Sequence, residues 1–256
     1  MMKQTKKKKQ DFFQVYGING SSNVIQAKKI NLVRIDIMVG GMAEKKSWVT
    51  NLARNNSLPF HRIPKAQFLK QYPGKRTQGI VVSFTGNIIR NVPSFEKSAD
   101  NICLLAMDNV EDPQNMGQII RTAECAGIDG ILIPEHGNVQ VTNTVLQISQ
   151  GAFIHLPLYN CGNLHHQLKN LKSQGFWIVG VENSIQAKNW HEQDYKRKLV
   201  IVMGSEGKGI RPLIYKTCDD LITIPMQGTL NSLNVSAAVS AVLFERHRQM
   251  LQASTN

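Results

Sequence analysis

The sequence lacks the features that mark membrane and secreted proteins. Its 256 residues contain no apolar run of about 18 residues, the length that a membrane-spanning helix requires. The lysine-rich start is not followed by the apolar core of a signal peptide. We therefore expect a soluble, cytoplasmic protein that makes no contact with a membrane.

Cysteine is scarce, and its spacing fits no known framework. The four cysteines are widely separated and form no Cys-x-x-Cys pair: Cys103, Cys125, Cys161 and Cys218. This spacing indicates neither a zinc knuckle nor a disulfide framework, so no metal is predicted. Cys103 and Cys125 fall in apolar strand and helix patterns, and we expect both in the core.

Acidic residues are outnumbered, with 18 against 30 basic ones, which gives a formal charge of +12 and a pI near 9.6. Five lysines lie in the first ten residues, and the rest of the chain keeps a charge of +7. A basic balance of this size favours a polyanionic partner. Residues 1–10 cannot bury apolar surface and are expected to be a disordered tail, either for solubility or as a nonspecific RNA-binding arm.

Residues 11–84 alternate between helical and strand patterns, which is enough for a small α/β domain. A helix is expected to begin near Ser21 or Ser22, and Pro64 is expected to open a helix that buries Phe68 and Leu69. Other elements are predicted from periodicity alone: strands at 35–39 and 79–84 and a helix at 44–54. Residues 85–99 lose this periodicity and are predicted to be a linker.

Residues 100–256 form the second predicted domain. Apolar strands alternate there with amphipathic helices, which is typical of a parallel sheet covered on both faces. The predicted strands are 101–107, 130–134, 153–157, 176–181, 198–203 and 220–224. The predicted helices are 115–126, about 140–149, 163–174, about 210–217 and 232–250.

Three segments, 108–121, 202–210 and 224–236, each begin where a predicted strand ends. Ligand crevices of open α/β sheets lie at such strand ends. The second segment fails the Walker A template, because Val202 stands where a glycine is required and Gly209 stands where Ser or Thr should follow lysine. The dinucleotide pattern Gly-x-Gly-x-x-Gly is absent as well, so kinase and dehydrogenase functions are disfavoured.

The remaining glycine loops carry few ionisable side chains. Such loops suit a ligand that is recognised through main-chain hydrogen bonds, with an apolar wall from Ile224, Met226 and Leu233. This pattern favours a bulky neutral cofactor group over a triphosphate.

The first and third segments also hold polar residues at helix starts. Asn115 follows Asp112-Pro113 at a position that can cap a helix, and Arg121 is either a surface charge or a phosphate-binding cation. At six residues apart, the two do not share a helix face. Ser232 or Asn234 can cap the last helix, which is apolar on more than one face and could pack against a partner subunit.

Taken in order and spacing, the three segments resemble the motifs of the SpoU/TrmH family of RNA ribose 2′-O-methyltransferases, in the SPOUT class. Asn115 with Arg121 matches the first motif and Gly204 with Glu206 the second. The run 232–236, Ser-Leu-Asn-Val-Ser, matches the third. The likeness covers about residues 100–250 and is greatest to members that methylate a guanosine of 23S rRNA.

The resemblance implies a parallel α/β SPOUT domain whose carboxy-terminal segments, 200–210 and 222–236, form a trefoil knot. It also implies a small amino-terminal α/β RNA-binding domain, a homodimer and S-adenosylmethionine as cofactor. Backbone groups of Gly204, Ile224 and Leu233 would contact that cofactor. Arg121 would act on the RNA as base or as phosphate clamp, with four residues orienting the reactants: Asn115, Glu206, Ser232 and Asn234.

The residues themselves lead to two further expectations, and two alternative functions remain. Glu206 would hold its loop and Arg121 through a charge-assisted hydrogen bond. His155 is expected to be a structural strand residue and not a base. Two other functions stay open: methylation of a tRNA ribose, and a noncatalytic RNA-binding role in ribosome assembly.

Overall fold

The computed structural model describes residues 12–53 and 58–253 of the chain. The predicted basic tail lies outside these ranges. The chain divides into two compact units, Met1–Asn87 and Ile88–Asn256. None of the helices in the described ranges combines the length and apolarity needed to span a bilayer.

The first unit contains a four-stranded sheet and three helices. Its elements are β1 (Phe13–Tyr16), α1 (Ile18–Gln26), β2 (Asn31–Met38), α2 (Ser47–Ala53), β3 (Phe60–Ile63), α3 (Lys65–Gln71) and β4 (Ile80–Thr85). The strand order is β1-β4-β2-β3, with β4 antiparallel to both neighbours and β2 parallel to β3. The strands β1 and β3 are short and were not predicted from the sequence.

Two predictions for the first unit are wrong. The helix α1 begins at Ile18 and not near Ser21 or Ser22, because the side chain of Gln78 accepts a hydrogen bond from the Ile18 amide at 2.8 Å. A cap supplied by a residue 60 positions away leaves no local signal. In α3, Phe68 is fully buried as predicted, but Leu69 is 51% exposed.

The second unit contains an eight-stranded sheet and five α-helices. Its strands are β5 (Ile89–Asn91), β6 (Cys103–Met107), β7 (Gly130–Pro134), β8 (Leu158–Gly162), β9 (Trp177–Val181), β10 (Lys188–Asn189), β11 (Leu199–Met203) and β12 (Asp220–Thr223). Its helices are α4 (Pro113–Cys125), α5 (Asn143–Ile148), α6 (Leu164–Ser173), α7 (Pro212–Tyr215) and α8 (Val235–Ala253).

Every pairing in this sheet is parallel, in the order β10-β12-β9-β11-β6-β7-β8-β5. The strands β6, β7 and β11 are buried along their whole length, as expected for parallel strands covered on both faces. α4 packs against α5 and α8, whereas α6 packs against α7 and three strands. The predicted parallel α/β sheet is confirmed, and all carboxyl ends of its strands meet at one edge.

The structure corrects three predictions in the second unit. Residues 153–157 are not a strand: a 3-10 turn spans Ala152–Ile154, and β8 starts after Pro157, which has no amide hydrogen for a strand ladder. His155 is therefore an exposed residue at the end of that turn. The predicted linker 85–99 contains β5, which pairs with β8.

The cysteines differ sharply in environment, and Cys125 is exposed, contrary to prediction. Burial raises the pKa of the Cys103, Cys161 and Cys218 thiols to about 12.

Since the thiolate is the nucleophile, we expect one fast-reacting thiol per folded chain at pH 8 with an aromatic disulfide reagent. Cys125→Ser should abolish that fast phase, and a second fast thiol would contradict the burial seen here.

Candidate active site

A cavity of about 300 Å³ lies at the carboxyl ends of three neighbouring strands, β9, β11 and β12. Its lining comes from the segments that follow those strands and from the start of α8. Its lining residues include Glu182, Asn183, Gly204, Ser205, Glu206, Ile224, Met226, Ser232 and Leu233. The predicted second and third segments therefore meet in one place.

The loop after β11 folds back on itself. Ser205 and Gly209 exchange two backbone hydrogen bonds at 3.1 and 3.0 Å. A Cβ on Gly204 would lie 2.2 Å from the carbonyl carbon of Gly209, so this position admits only glycine without a backbone shift. Glu182 fixes the far end of the loop by accepting a hydrogen bond from the Ile210 amide at 2.8 Å.

Asn234 connects the cavity to the first segment. Its Nδ2 donates to Asn115 Oδ1 at 3.0 Å and reaches Glu206 Oε2 at 3.5 Å. Its Oδ1 accepts from the Ser236 amide at 3.0 Å, so Asn234 caps α8. Ser232, the other predicted cap, does not cap α8; it is exposed and lines the cavity.

A polar stripe runs along the contact between α4 and α8. Beyond the Asn115–Asn234 pair, Ser236 Oγ lies 2.9 Å from Gln118 Oε1. One turn further, the hydroxyls of Thr122 and Ser240 are 3.5 Å apart. The two partly buried contacts, Ser236–Gln118 and Thr122–Ser240, tie the two helices together.

Arg121 lies beside this stripe, because it follows Gln118 by three residues on α4. Its side chain is exposed and, within the described ranges, forms no hydrogen bond or ion pair. The expected bond between Glu206 and Arg121 is therefore not formed, since Glu206 instead accepts from Asn234. Arg121 is a cation available to a ligand.

The predicted site residues thus fall into two groups. Gly204, Glu206, Ile224, Ser232 and Leu233 line the cavity. Asn115 and Asn234 sit on its edge, on the helices that flank it, while Arg121 stands apart on α4. Asn115 is not the cap of α4: Asp112 is, accepting from the Gln114 amide at 3.0 Å.

Two lining residues, Glu182 and Asn183, were not singled out from the sequence. They directly follow β9, which lies between β11 and β12 in the sheet. Asn183 Nδ2 donates to the Asn231 carbonyl at 2.8 Å and so holds the third segment over the cavity. Glu182 and Asn183 could have been found from the sequence by their position directly after a predicted strand, as in the second and third segments.

A model of the SpoU rRNA methylase family matches residues 103–244, which contain all three segments and more than half of the chain. The chain belongs to the SpoU rRNA methylase family. It is similar to a Staphylococcus saprophyticus protein assigned to the TrmH family of tRNA/rRNA methyltransferases. The two are 35% identical over 204 residues, which cover 78% of this chain and 82% of that protein. This SpoU methylase is therefore an RNA methyltransferase of the TrmH/SpoU family.

Solved structures share the fold. The SpoU methyltransferase AviRb from Streptomyces viridochromogenes, in complex with AdoMet, gives a TM-score of 0.78 at 19% identity, over 94% of this chain and 91% of that one. A crystal structure of an RNA 2′-O ribose methyltransferase gives 0.78 at 22% identity, over 94% and 90%. At these identities the likeness concerns the fold of the SpoU methylase.

Asn234 offers a test that separates capping from a role in the site. Asn234→Ala removes both, whereas Asn234→Asp keeps the acceptor for the Ser236 amide and loses the donor to Asn115. We expect both variants of this SpoU methylase to lose about tenfold in methylation, because both remove the amide donor that links Asn115 and Glu206.

Only Asn234→Ala should also lose about 1 kcal/mol of unfolding free energy, the usual value of a helix cap. Steady-state kinetics and thermal unfolding check these values. An Asn234→Asp variant with unchanged activity would assign Asn234 to capping alone.

Proposed function

We propose that this protein transfers a methyl group from S-adenosylmethionine to a ribose 2′-hydroxyl of RNA, at a guanosine of 23S rRNA. The observation that carries the proposal is the cavity at the ends of β9, β11 and β12, joined through Asn234 to Asn115 on the helix that bears Arg121. The proposal therefore sets the cofactor beside the start of α4, the helix that also carries the exposed Arg121.

The lining of the cavity fits S-adenosylmethionine better than a nucleoside triphosphate. Among the described residues, no lysine, arginine or histidine lines it, while Glu182 and Glu206 do. Carboxylates attract the sulfonium and ammonium of this cofactor and repel phosphates. The Ser205 hydroxyl is buried without a partner in the described structure and is available to a polar group of the cofactor. A related SpoU methyltransferase was solved with AdoMet.

Three residues predicted to contact the cofactor keep that role in the proposal. Gly204 brings the backbone of the β11 loop to the cavity wall, and Ile224 and Leu233 supply main-chain groups and apolar surface. Leu233 is 40% exposed, as expected for a side chain that a ligand would cover. The trefoil knot implied for residues 200–210 and 222–236 belongs to the same proposal.

When bound, the cofactor supplies a methyl group on sulfur with a neutral thioether as leaving group, so the chain needs no general acid. The 2′-hydroxyl gives its proton to water as the new carbon–oxygen bond forms, while Arg121 holds an RNA phosphate and stabilises the negative charge that develops on the 2′-oxygen. A guanidinium does not give up its proton at neutral pH, so Arg121 is a clamp and not a base. Asn115, Glu206, Ser232 and Asn234 orient the reacting groups.

The proposal includes a homodimer. Ala237, Phe244 and Leu251 are spaced seven residues apart on α8 and are exposed, with Phe244 at 47% and Leu251 at 57%. This spacing places them on one side of the helix, where a second copy would bury them. Sedimentation equilibrium should give twice the chain mass of 28.7 kDa.

The RNA target is tested by mapping 2′-O-methylation in total RNA from cells with and without the gene. We expect one guanosine of 23S rRNA to lose its methyl group, because a separate amino-terminal unit suits a large folded RNA. Loss of a ribose methyl in tRNA instead would establish the other enzyme of the same class. No S-adenosylmethionine binding at millimolar concentration in calorimetry would favour the noncatalytic role.

A further inference from the structure

A second cleft, of about 700 Å³, opens at the same sheet edge but at the ends of β7 and β8. Its walls include the apolar side chains of Leu164, Leu213 and Ile214. Five polar residues also line it: Glu135, His136, Asn163, His165 and Arg211. The cofactor cavity and this cleft share no residue in their linings, so the proposed methyl transfer does not account for the cleft.

Arg211 is arranged to stack and not to bind phosphate. Its Nε and Nη2 lie 2.7 and 2.6 Å from Asp108 Oδ1, and Asp108 is fully buried at the end of β6. The carboxylate offsets the positive charge of Arg211 and fixes the plane of its guanidinium. The Arg211 side chain nevertheless remains 44% exposed. A planar, immobilised guanidinium is a good stacking surface for a nucleobase.

His165 presents a hydrogen-bond acceptor. Thr217 Oγ1 donates its one proton to the Leu213 carbonyl at 2.8 Å. The same oxygen lies 2.9 Å from His165 Nδ1 and must therefore accept from it. In the neutral ring the proton is held on Nδ1, so Nε2 is an acceptor. Together with the Glu135 carboxylate, the cleft favours a ligand edge that carries N–H donors.

We propose that the second cleft binds an unpaired nucleobase of the RNA substrate, within a few nucleotides of the one that is methylated. Arg211 is the only lysine or arginine in the described lining, and its charge is already offset, so a phosphate is a poor occupant. Apolar walls, a stacking plane and acceptors match a base with an N–H edge.

The position of the cleft supports the same occupant. β7 is two strands from β11, and strands lie about 4.8 Å apart, so the nearest strands of the two sites are roughly 10 Å apart and the middles of the sites roughly 17 Å apart along the edge. Nucleotides a few positions apart in one RNA strand can span that distance. The inference rests on the proposed RNA methylation.

The test is methylation kinetics on RNA from cells that lack the gene, with His165→Ala and Leu213→Glu. Leu213 is 56% exposed, so its replacement should not disturb the core. His166→Ala is the matched control, because His166 is exposed on the same helix and outside the cleft lining. We expect the KM for RNA to rise about tenfold in both cleft variants, because each removes one contact that holds the base, the acceptor of His165 or the apolar wall of Leu213.

In those variants kcat and the Kd for S-adenosylmethionine should stay at the values of the control. A KM for RNA within twofold of the control in both would overturn the proposal. Filter binding of the same RNA without cofactor compares the RNA affinities of the cleft variants and the control without requiring turnover. A wild-type protein that binds RNA through the cleft but transfers no methyl group would instead refute the proposed function.

Thr217 provides a positioning test. Thr217→Val keeps the shape but removes the oxygen that accepts from His165, whereas Thr217→Ser retains it. Thr217→Val should raise the KM for RNA and alter the ring-nitrogen NMR shifts that report the His165 tautomer, and Thr217→Ser should change neither. Changed shifts with an unchanged KM would rule out a role for the His165 acceptor.

Discussion

Arg121→Ala is expected to reduce methylation by a factor of about 10² to 10³, the cost of removing one preorganised group that stabilises charge in a transition state. Arg121 is exposed on α4 and does not line the cofactor cavity. The Kd for S-adenosylmethionine should therefore stay within about twofold of the wild-type value. A tenfold change in Kd would require the loss of about 1.4 kcal/mol of binding free energy, and Arg121 makes no contact in the cavity that could supply it. Calorimetry and single-turnover kinetics measure the two quantities.

Arg121→Lys is the matched control. It keeps the positive charge but cannot form the bidentate grip of a guanidinium, so activity should lie between those of wild type and Arg121→Ala. The unfolding temperature should not change in either variant, because Arg121 has no partner within the described ranges to lose. Full turnover in Arg121→Ala would remove Arg121 from the mechanism.

Gly204→Ala is expected to weaken S-adenosylmethionine binding about 10- to 100-fold. The added methyl group would lie 2.2 to 2.5 Å from three backbone atoms of Gly209 and Ile210. Backbone cannot rotate away as a flexible side chain does, so the loop must open and the paired hydrogen bonds of Ser205 and Gly209 must lengthen. Overpacking of this kind costs about 1–3 kcal/mol.

Gly228→Ala is the control for that variant. Gly228 lies in the third segment, its φ is not positive, and a Cβ there would meet nothing within 4 Å. Its cofactor affinity should equal that of the wild type. Equal affinities in Gly204→Ala and Gly228→Ala would contradict a cofactor held by the loop after β11.

The sequence predicted the central part of the fold well, because buried parallel strands are continuous apolar runs. Residues 130–134 were predicted as a strand with the bounds that β7 has. Three of the failures share a physical cause, which is that a partner distant in sequence decides the structure. β5 and β10 are only 3 and 2 residues long and exist because β8 and β12 offer an edge to pair with. Gln78 likewise sets the start of α1.

The candidate site shows the same limit. Spacing and glycine content located the segments around Gly204 and Ser232, but not Glu182, whose role depends on β9 lying between β11 and β12. The expected Glu206–Arg121 bond failed because Asn234 reaches Glu206 from the start of α8. Which side chains meet depends on strand order, and one sequence does not reveal that order.

The most direct test of the account is the identity of the methylated nucleoside. Purified protein, S-adenosylmethionine with a labelled methyl group and unmodified rRNA are incubated, and the RNA is digested to nucleosides for mass spectrometry. We predict label in 2′-O-methylguanosine, with fragmentation placing the added methyl on the ribose, and its near-complete loss in Arg121→Ala. Label on a base, or no incorporation by a wild-type protein that binds the cofactor, would contradict ribose methylation.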